Sequence, residues 1–109
     1  MKPSATNSNQ YKPKSISIAG ITFRILYKPI SDFGDCDIDK KLITIRDNLT
    51  DQETLETILH ESLHACLAVS GLSYLIVSVE TEEAIVRCID HLYMPVIKKQ
   101  LRSFKDCAR

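Results

Sequence analysis

The chain has 109 residues, 44% hydrophobic and 26% charged, which is typical of one globular domain. Its 14 lysines and arginines balance 14 aspartates and glutamates, so no overall charge favours nucleic acid or an anionic membrane. No apolar run reaches the roughly 18 residues of a membrane-spanning helix. The polar start, MKPSATNSNQYKPK, lacks the apolar core of a secretion signal.

Residues 1–14 are rich in Ser, Asn, Lys and Pro, which predicts a flexible N-terminal arm. The remainder, residues 15–109, predicts a single domain. From Ser15 to Ile25 apolar and polar residues alternate, with Ala19-Gly20 as a turn or bulge. This period of two predicts two strands or one long bent strand.

A further strand is predicted over residues 42–46, with Ile43 and Ile45 on one face. The acidic segment before it, residues 31–41, is rich in turn-forming residues. Its acidic positions do not have the spacing of an EF-hand calcium loop, so we interpret it as a solvated turn.

Two helices follow the strands. The first is predicted over residues 51–70, because Thr50 to Glu53 forms a capping box and Gly71 is a natural stop. The second is predicted to begin between Ser78 and Thr81 and to bury an apolar stripe. Pro95 should kink or break it, and a last helical piece should reach about Phe104. The stripe consists of Ala84, Ile85, Cys88, Ile89 and Leu92.

The cysteines predict free thiols in a reducing compartment, since none forms a C-x-x-C pair. Cys66 and Cys88 fall in apolar helical patterns and are expected to be small core residues. The other two are Cys36 and Cys107.

The sequence HESLH, from His60 to His64, carries the most specific chemistry. Residues four apart lie on one helix face, so the two histidines are suited to bind one zinc ion. Glu61 is placed to act as general base on a metal-activated water. H-E-x-x-H in a helix is therefore typical of zinc hydrolases.

A catalytic zinc site needs a third protein ligand and one open position. Side-chain direction in the second helix ranks Glu82 first, because it shares a face with the apolar stripe. Glu83 ranks second, since it should face outward with Arg87 and Asp90. His91 ranks third, on the polar side of the helix.

Three segments resemble small zincin-like metallopeptidases, which are often encoded by phages and mobile elements. They are the first helix ILHESLHA, the second helix TEEAIVRCIDHLYMP, and the strand and helix that precede the motif, DIDKKLITIRDNLTDQETLETILHE. The chain is similar to the ImmA/IrrE-like group over roughly residues 20–95. The resemblance implies an α+β zincin-like domain with about three antiparallel strands packed on the HExxH helix and a second C-terminal helix. It also implies a gluzincin-type set of His60, His64 and a glutamate matching Glu82, with Glu61 as general base.

These observations predict a Zn²⁺-dependent peptidase that hydrolyses a protein or peptide substrate in the cytoplasm, the host cytoplasm if the chain is phage-encoded. The alternative is a non-catalytic zinc-binding structural or interaction module that keeps the zincin core. No membrane partner is expected. Nucleic acid binding through the basic residues Lys98 to Arg109 is a weaker hypothesis. No sequence feature indicates an oligomeric state.

Overall fold

The computed structural model of the chain describes residues 10–76 and 78–100. Most of the predicted arm (residues 1–9) and the predicted end of the last helix beyond residue 100 lie outside this range. Within the described residues, no helix combines the length and the apolar character needed to cross a bilayer.

Four strands form one sheet, and together with the helices they make an α+β domain, as predicted. The expected count of three strands was wrong, because a short strand lies within the segment predicted as a turn. The sheet is also mixed rather than antiparallel: β2 and β4 run parallel at its centre, while β1 and β3 pair antiparallel at the edges in the order β1-β2-β4-β3. The strands are β1 Ser15–Ile18, β2 Ile21–Lys28, β3 Gly34–Asp37 and β4 Leu42–Arg46.

A two-residue turn joins β1 to β2. Ala19 and Gly20 both have positive φ, 51° and 81°, and Ile18 pairs with Ile21 across the turn. Two successive positive φ values match the right-handed twist of the flanking strands. The sequence pattern therefore describes two strands, not one bent strand.

The core lies between one face of the sheet and the first helix. Phe23 and Ile25 of β2 and Ile43 and Ile45 of β4 are all at most 3% exposed. Each alternates with a more exposed neighbour, as the period of two predicts. Burying a side chain of this size stabilises the fold by roughly 1.5–3 kcal/mol. Ile58 of the first helix completes the contact.

The first helix, α1, spans Asp51–Val69. The predicted capping box is confirmed: the Glu53 amide donates to Thr50 Oγ1 at 3.1 Å, and the Thr50 amide donates to Glu53 Oε1 at 3.0 Å. After the helix, Gly71 adopts a φ of 88°, which ends it as expected. The prediction of a buried Cys66 was wrong, because its side of α1 faces solvent.

The rest of the described chain is helical, but it buries a different face from the one predicted. Val86 is fully buried, whereas Ala84, Cys88 and Leu92 of the predicted stripe are exposed. Pro95 does not break the helix, because a wider π-helical segment precedes it and accommodates the proline ring. The elements are a 3₁₀ turn Leu72–Tyr74, α2 Val79–Arg87, the π segment Cys88–Tyr93 and α3 Met94–Gln100.

Candidate metal centre

His60 and His64 lie one turn apart on α1, as the sequence predicts. Their ring centroids are 5.1 Å apart and the rings are inclined by 63°. The helix presents both rings towards α2 and the π segment, where acidic side chains meet them. Two imidazoles on one helix face are therefore available to a single ion.

The Glu83 carboxylate joins the two histidines. Its Oε1 atom lies 3.4 Å from His60 Nε2, and its Oε2 atom lies 3.0 Å from His64 Nε2. Ligand atoms around a tetrahedral zinc ion with bonds near 2 Å are separated by about 3.3 Å. Among the described residues, His60, His64 and Glu83 form the one group with ligand atoms all within 4.8 Å of one another.

The other nitrogen of each ring faces a second carboxylate. His64 Nδ1 is 2.6 Å from Glu82 Oε2, and His60 Nδ1 is 3.6 Å from Asp90 Oδ2. The hydrogen bond with Glu82 favours a proton on Nδ1 of His64, which leaves the Nε2 lone pair of that ring free to bind a metal, whereas the contact at His60 is too long for a hydrogen bond. Both histidines have their Nε2 atoms facing Glu83.

The two glutamates ranked from the sequence have different surroundings. Glu83 reaches the Nε2 atoms of both histidines, whereas Glu82 contacts His64 at Nδ1. The expectation that Glu83 and Asp90 face outward was wrong. Both lie on the helix face that contains the buried Val86, and this face turns towards α1.

His91, ranked third, lies away from the cluster. Its side chain is 67% exposed, and its Nε2 atom is 3.7 Å from Asp90 Oδ2. It does not belong to the candidate metal-binding group found in residues 10–76 and 78–100. His91 therefore contributes no ligand in this arrangement.

Glu61 is buried beside the histidines, on the side of α1 that faces the sheet. Burial raises its pKa to about 7; His64 opposes the rise, while Asp35, Glu83 and Asp32 add to it. The side chain is not part of the His60, His64 and Glu83 group. Glu61 is consequently close to the site without being one of its three candidate ligands.

Two clefts meet at this site. The larger cleft, of about 650 Å³, lies between β3 with its following turn and the helices α1 and α2; Asp35, Tyr74 and Glu82 line it. The smaller cleft, of about 410 Å³, extends past Phe33 and His60. Both clefts are lined by Glu61 and Glu83. A ligand extending through both clefts would therefore pass the candidate general base and the candidate metal ligand.

The missed strand β3 borders both clefts and approaches α1 closely at Gly34. A Cβ atom on Gly34 would lie 2.7 Å from Thr57 Cγ2 and 3.2 Å from Glu61 Cγ. Glycine thus lets the edge strand pack directly against the side of α1 that carries Thr57 and Glu61. The glycine was visible in the sequence, but no local pattern identified its neighbour across the fold.

Replacing Gly34 by Ala is expected to lower the free energy of unfolding by about 1–3 kcal/mol, because the new methyl group overpacks this contact. Chemical denaturation of the metal-free protein measures the change. Thr57→Ser removes the nearest methyl group and keeps the hydroxyl that donates to the Glu53 carbonyl. The double variant should regain part of the loss, and equal stability of Gly34→Ala and the wild type would contradict the close packing.

The donor set fits zinc. Two imidazole nitrogens and one carboxylate oxygen are ligands that zinc prefers, and three protein ligands leave a fourth position open for a substrate or water. The Glu82 carboxylate at Nδ1 of His64 adds the outer contact that such a ligand usually has.

Comparison of the chain with protein-family models, with curated proteins and with solved structures finds no match. The resemblance to zincin-like peptidases therefore stays a prediction from the sequence.

Proposed function

We propose that this chain is a zinc-dependent metallopeptidase, with His60, His64 and Glu83 as metal ligands and Glu61 as general base. The observation that carries the proposal is the convergence of both Nε2 atoms on the Glu83 carboxylate, with Glu61 buried beside them. A purely structural zinc site is usually closed by four protein ligands. Three ligands beside a cleft are what a catalytic site needs.

The proposed chemistry assigns each side chain a separate task. When bound, zinc supplies a Lewis acid that polarises the scissile carbonyl. Glu61 accepts a proton from the attacking water and returns it to the leaving amine. Glu82 holds the ring of His64 in orientation through a hydrogen bond at Nδ1, and Asp90 lies 3.6 Å from Nδ1 of His60.

A peptide substrate is supported by the edge strand β3. The Arg46 amide donates to the Phe33 carbonyl, so Phe33 is hydrogen-bonded to β4. Along an antiparallel pair, every second residue of a strand bonds to its neighbour and the residues between bond in the other direction. The backbone groups of Gly34 and Cys36 therefore point away from β4, along the border of the clefts. An extended peptide can pair with such an exposed edge.

We place this activity in the cytoplasm, the host cytoplasm for a phage-encoded chain. Cys36, Cys66 and Cys88 are free thiols in the described part of the chain. Free thiols agree with a reducing compartment.

The metal part of the proposal is tested by zinc content. After zinc loading and removal of excess metal, the wild type should hold about one zinc per chain, whereas His60→Ala should lose most of it. His91→Ala is the matched control, because His91 lies outside the cluster. A wild-type content below about 0.2 zinc per chain would overturn the assignment.

The hydrolytic part is tested by incubating the zinc-loaded protein with a mixed peptide library and identifying new termini by mass spectrometry. Cleavage that depends on His60 supports a peptidase. Stoichiometric zinc without any cleavage would favour the non-catalytic zinc-binding module instead.

A further inference from the structure

The two clefts are much more acidic than the chain as a whole. Across the full sequence, 14 basic residues balance 14 acidic ones. In the described residues that line the two clefts, however, there are eight carboxylates and no lysine or arginine. The charges of this neutral chain are thus segregated, with the negative ones concentrated at the proposed site.

Acidic side chains lie on both sides of Glu61 and Glu83, the two acidic residues that line both clefts. Asp35, Asp39 and Glu82 line the larger cleft, beyond the point shared by both clefts. Glu53, Glu56 and Asp90 line the smaller cleft. A chain lying through the site would therefore meet carboxylates before and after the scissile bond.

Five of these eight carboxylates have a hydrogen-bond or ion-pair partner in the described residues, but Asp35 and Asp39 do not. Zinc would add two positive charges at the junction, against eight carboxylates around it. The clefts would remain strongly negative with the metal bound.

Cys36 also lines the larger cleft, and the nearby carboxylates affect the pKa of its thiol. Its pKa is raised to about 12, first by burial and then by the carboxylates of Glu61, Asp35, Asp37 and Glu82. No cation lowers it. The carboxylates therefore add to the effect of burial at a thiol that lines the cleft.

The larger cleft also offers apolar surface to a long cationic side chain. Tyr74 and Val79 line it and are 89% and 74% exposed. The aliphatic part of a lysine or arginine packs on such surface while its charged end stays near carboxylates. A tyrosine ring also attracts a cation to its face.

We propose that the clefts select cationic peptide segments, with lysine or arginine on both sides of the bond at the metal centre. Cleavage of such segments rests on the proposed function, but their preferential binding does not. Asp35 and Asp39 act as specificity-determining residues, since neither belongs to the proposed catalytic group.

The test measures binding of two fluorescent peptides to zinc-loaded Glu61→Gln protein, which prevents turnover. One peptide carries lysines on both sides of a central apolar pair, and the other carries glutamates at the same positions. The lysine peptide should bind at least about ten-fold more tightly at low ionic strength, and added salt should reduce the difference. Equal binding, or tighter binding of the glutamate peptide, would overturn the proposal.

Charge variants identify the cleft as the cause. On the same background, Asp35→Asn with Asp39→Asn should weaken binding of the lysine peptide by about five-fold or more. Asp47→Asn with Glu80→Gln is the matched control, because it removes two exposed charges outside the clefts. An equal effect of both pairs would refute a role for Asp35 and Asp39.

The wild type separates the two proposals. If it cleaves both peptides equally, the charge preference fails and the peptidase assignment stands. If the lysine peptide binds selectively but is never cleaved, the charge preference stands and the peptidase assignment fails.

Discussion

Glu61→Gln is expected to lower the rate of peptide hydrolysis by about 100- to 10,000-fold, because an amide cannot accept the proton of the attacking water. Zinc content should stay at the wild-type level, since Glu61 is not one of the candidate ligands. The measurement is a single-turnover rate on a cleaved peptide, with metal analysis of the same sample.

The variant should fold normally. Glutamine has nearly the same shape, and burial disfavours the charged form of Glu61, so a neutral side chain removes a desolvation cost. Glu80→Gln, at an exposed position of α2, controls for loss of a carboxylate alone and should keep full activity. An unchanged rate in zinc-loaded Glu61→Gln would show that Glu61 is not the general base.

Glu83→Ala is expected to lower zinc affinity by about a thousand-fold, because it removes one of three ligands, and structural zinc sites bind their metal with roughly 10–16 kcal/mol in total. Glu82→Ala should cost only about 10- to 100-fold, the usual effect of losing an outer partner of a metal-bound histidine. Competition titration with a zinc-binding indicator measures both constants.

Asp90→Ala provides the comparison on the other histidine and should have a smaller effect than Glu82→Ala, since Asp90 lies 3.6 Å from Nδ1 of His60 and Glu82 lies 2.6 Å from Nδ1 of His64. A larger loss in Glu82→Ala than in Glu83→Ala would assign the third ligand to Glu82, as the sequence ranking had it. Equal small losses in both glutamate variants would mean that neither completes the site.

Local sequence features predicted most of the secondary structure. The capping box at Thr50 and the stop at Gly71 define α1, and alternation with period two identifies β1, β2 and β4. These features were readable because they depend on neighbours within a few residues. The placement of His60, Glu61 and His64 on one helix follows from the same local periodicity.

Strand β3 was not predictable in this way. Its four residues, Gly34 to Asp37, contain glycine and two aspartates, which disfavour strands. Pairing with β4 outweighs that preference, and close packing of Gly34 against Thr57 brings the strand beside the site. The pairing of β3 with β4 is a contact between separate segments, and no local pattern in residues 31–41 predicts it.

The sequence by itself determined the chemistry of the candidate centre: two histidines one turn apart, a glutamate between them, and an acidic second helix. It could not determine which acidic side chain meets which ring nitrogen. Glu82 and Glu83 are adjacent in sequence and point about 100° apart around the helix axis. The sequence does not show which of these two directions faces the histidines. Only the packing of α2 against α1, with Val86 buried, places Glu83 at both Nε2 atoms and leaves Glu82 at Nδ1.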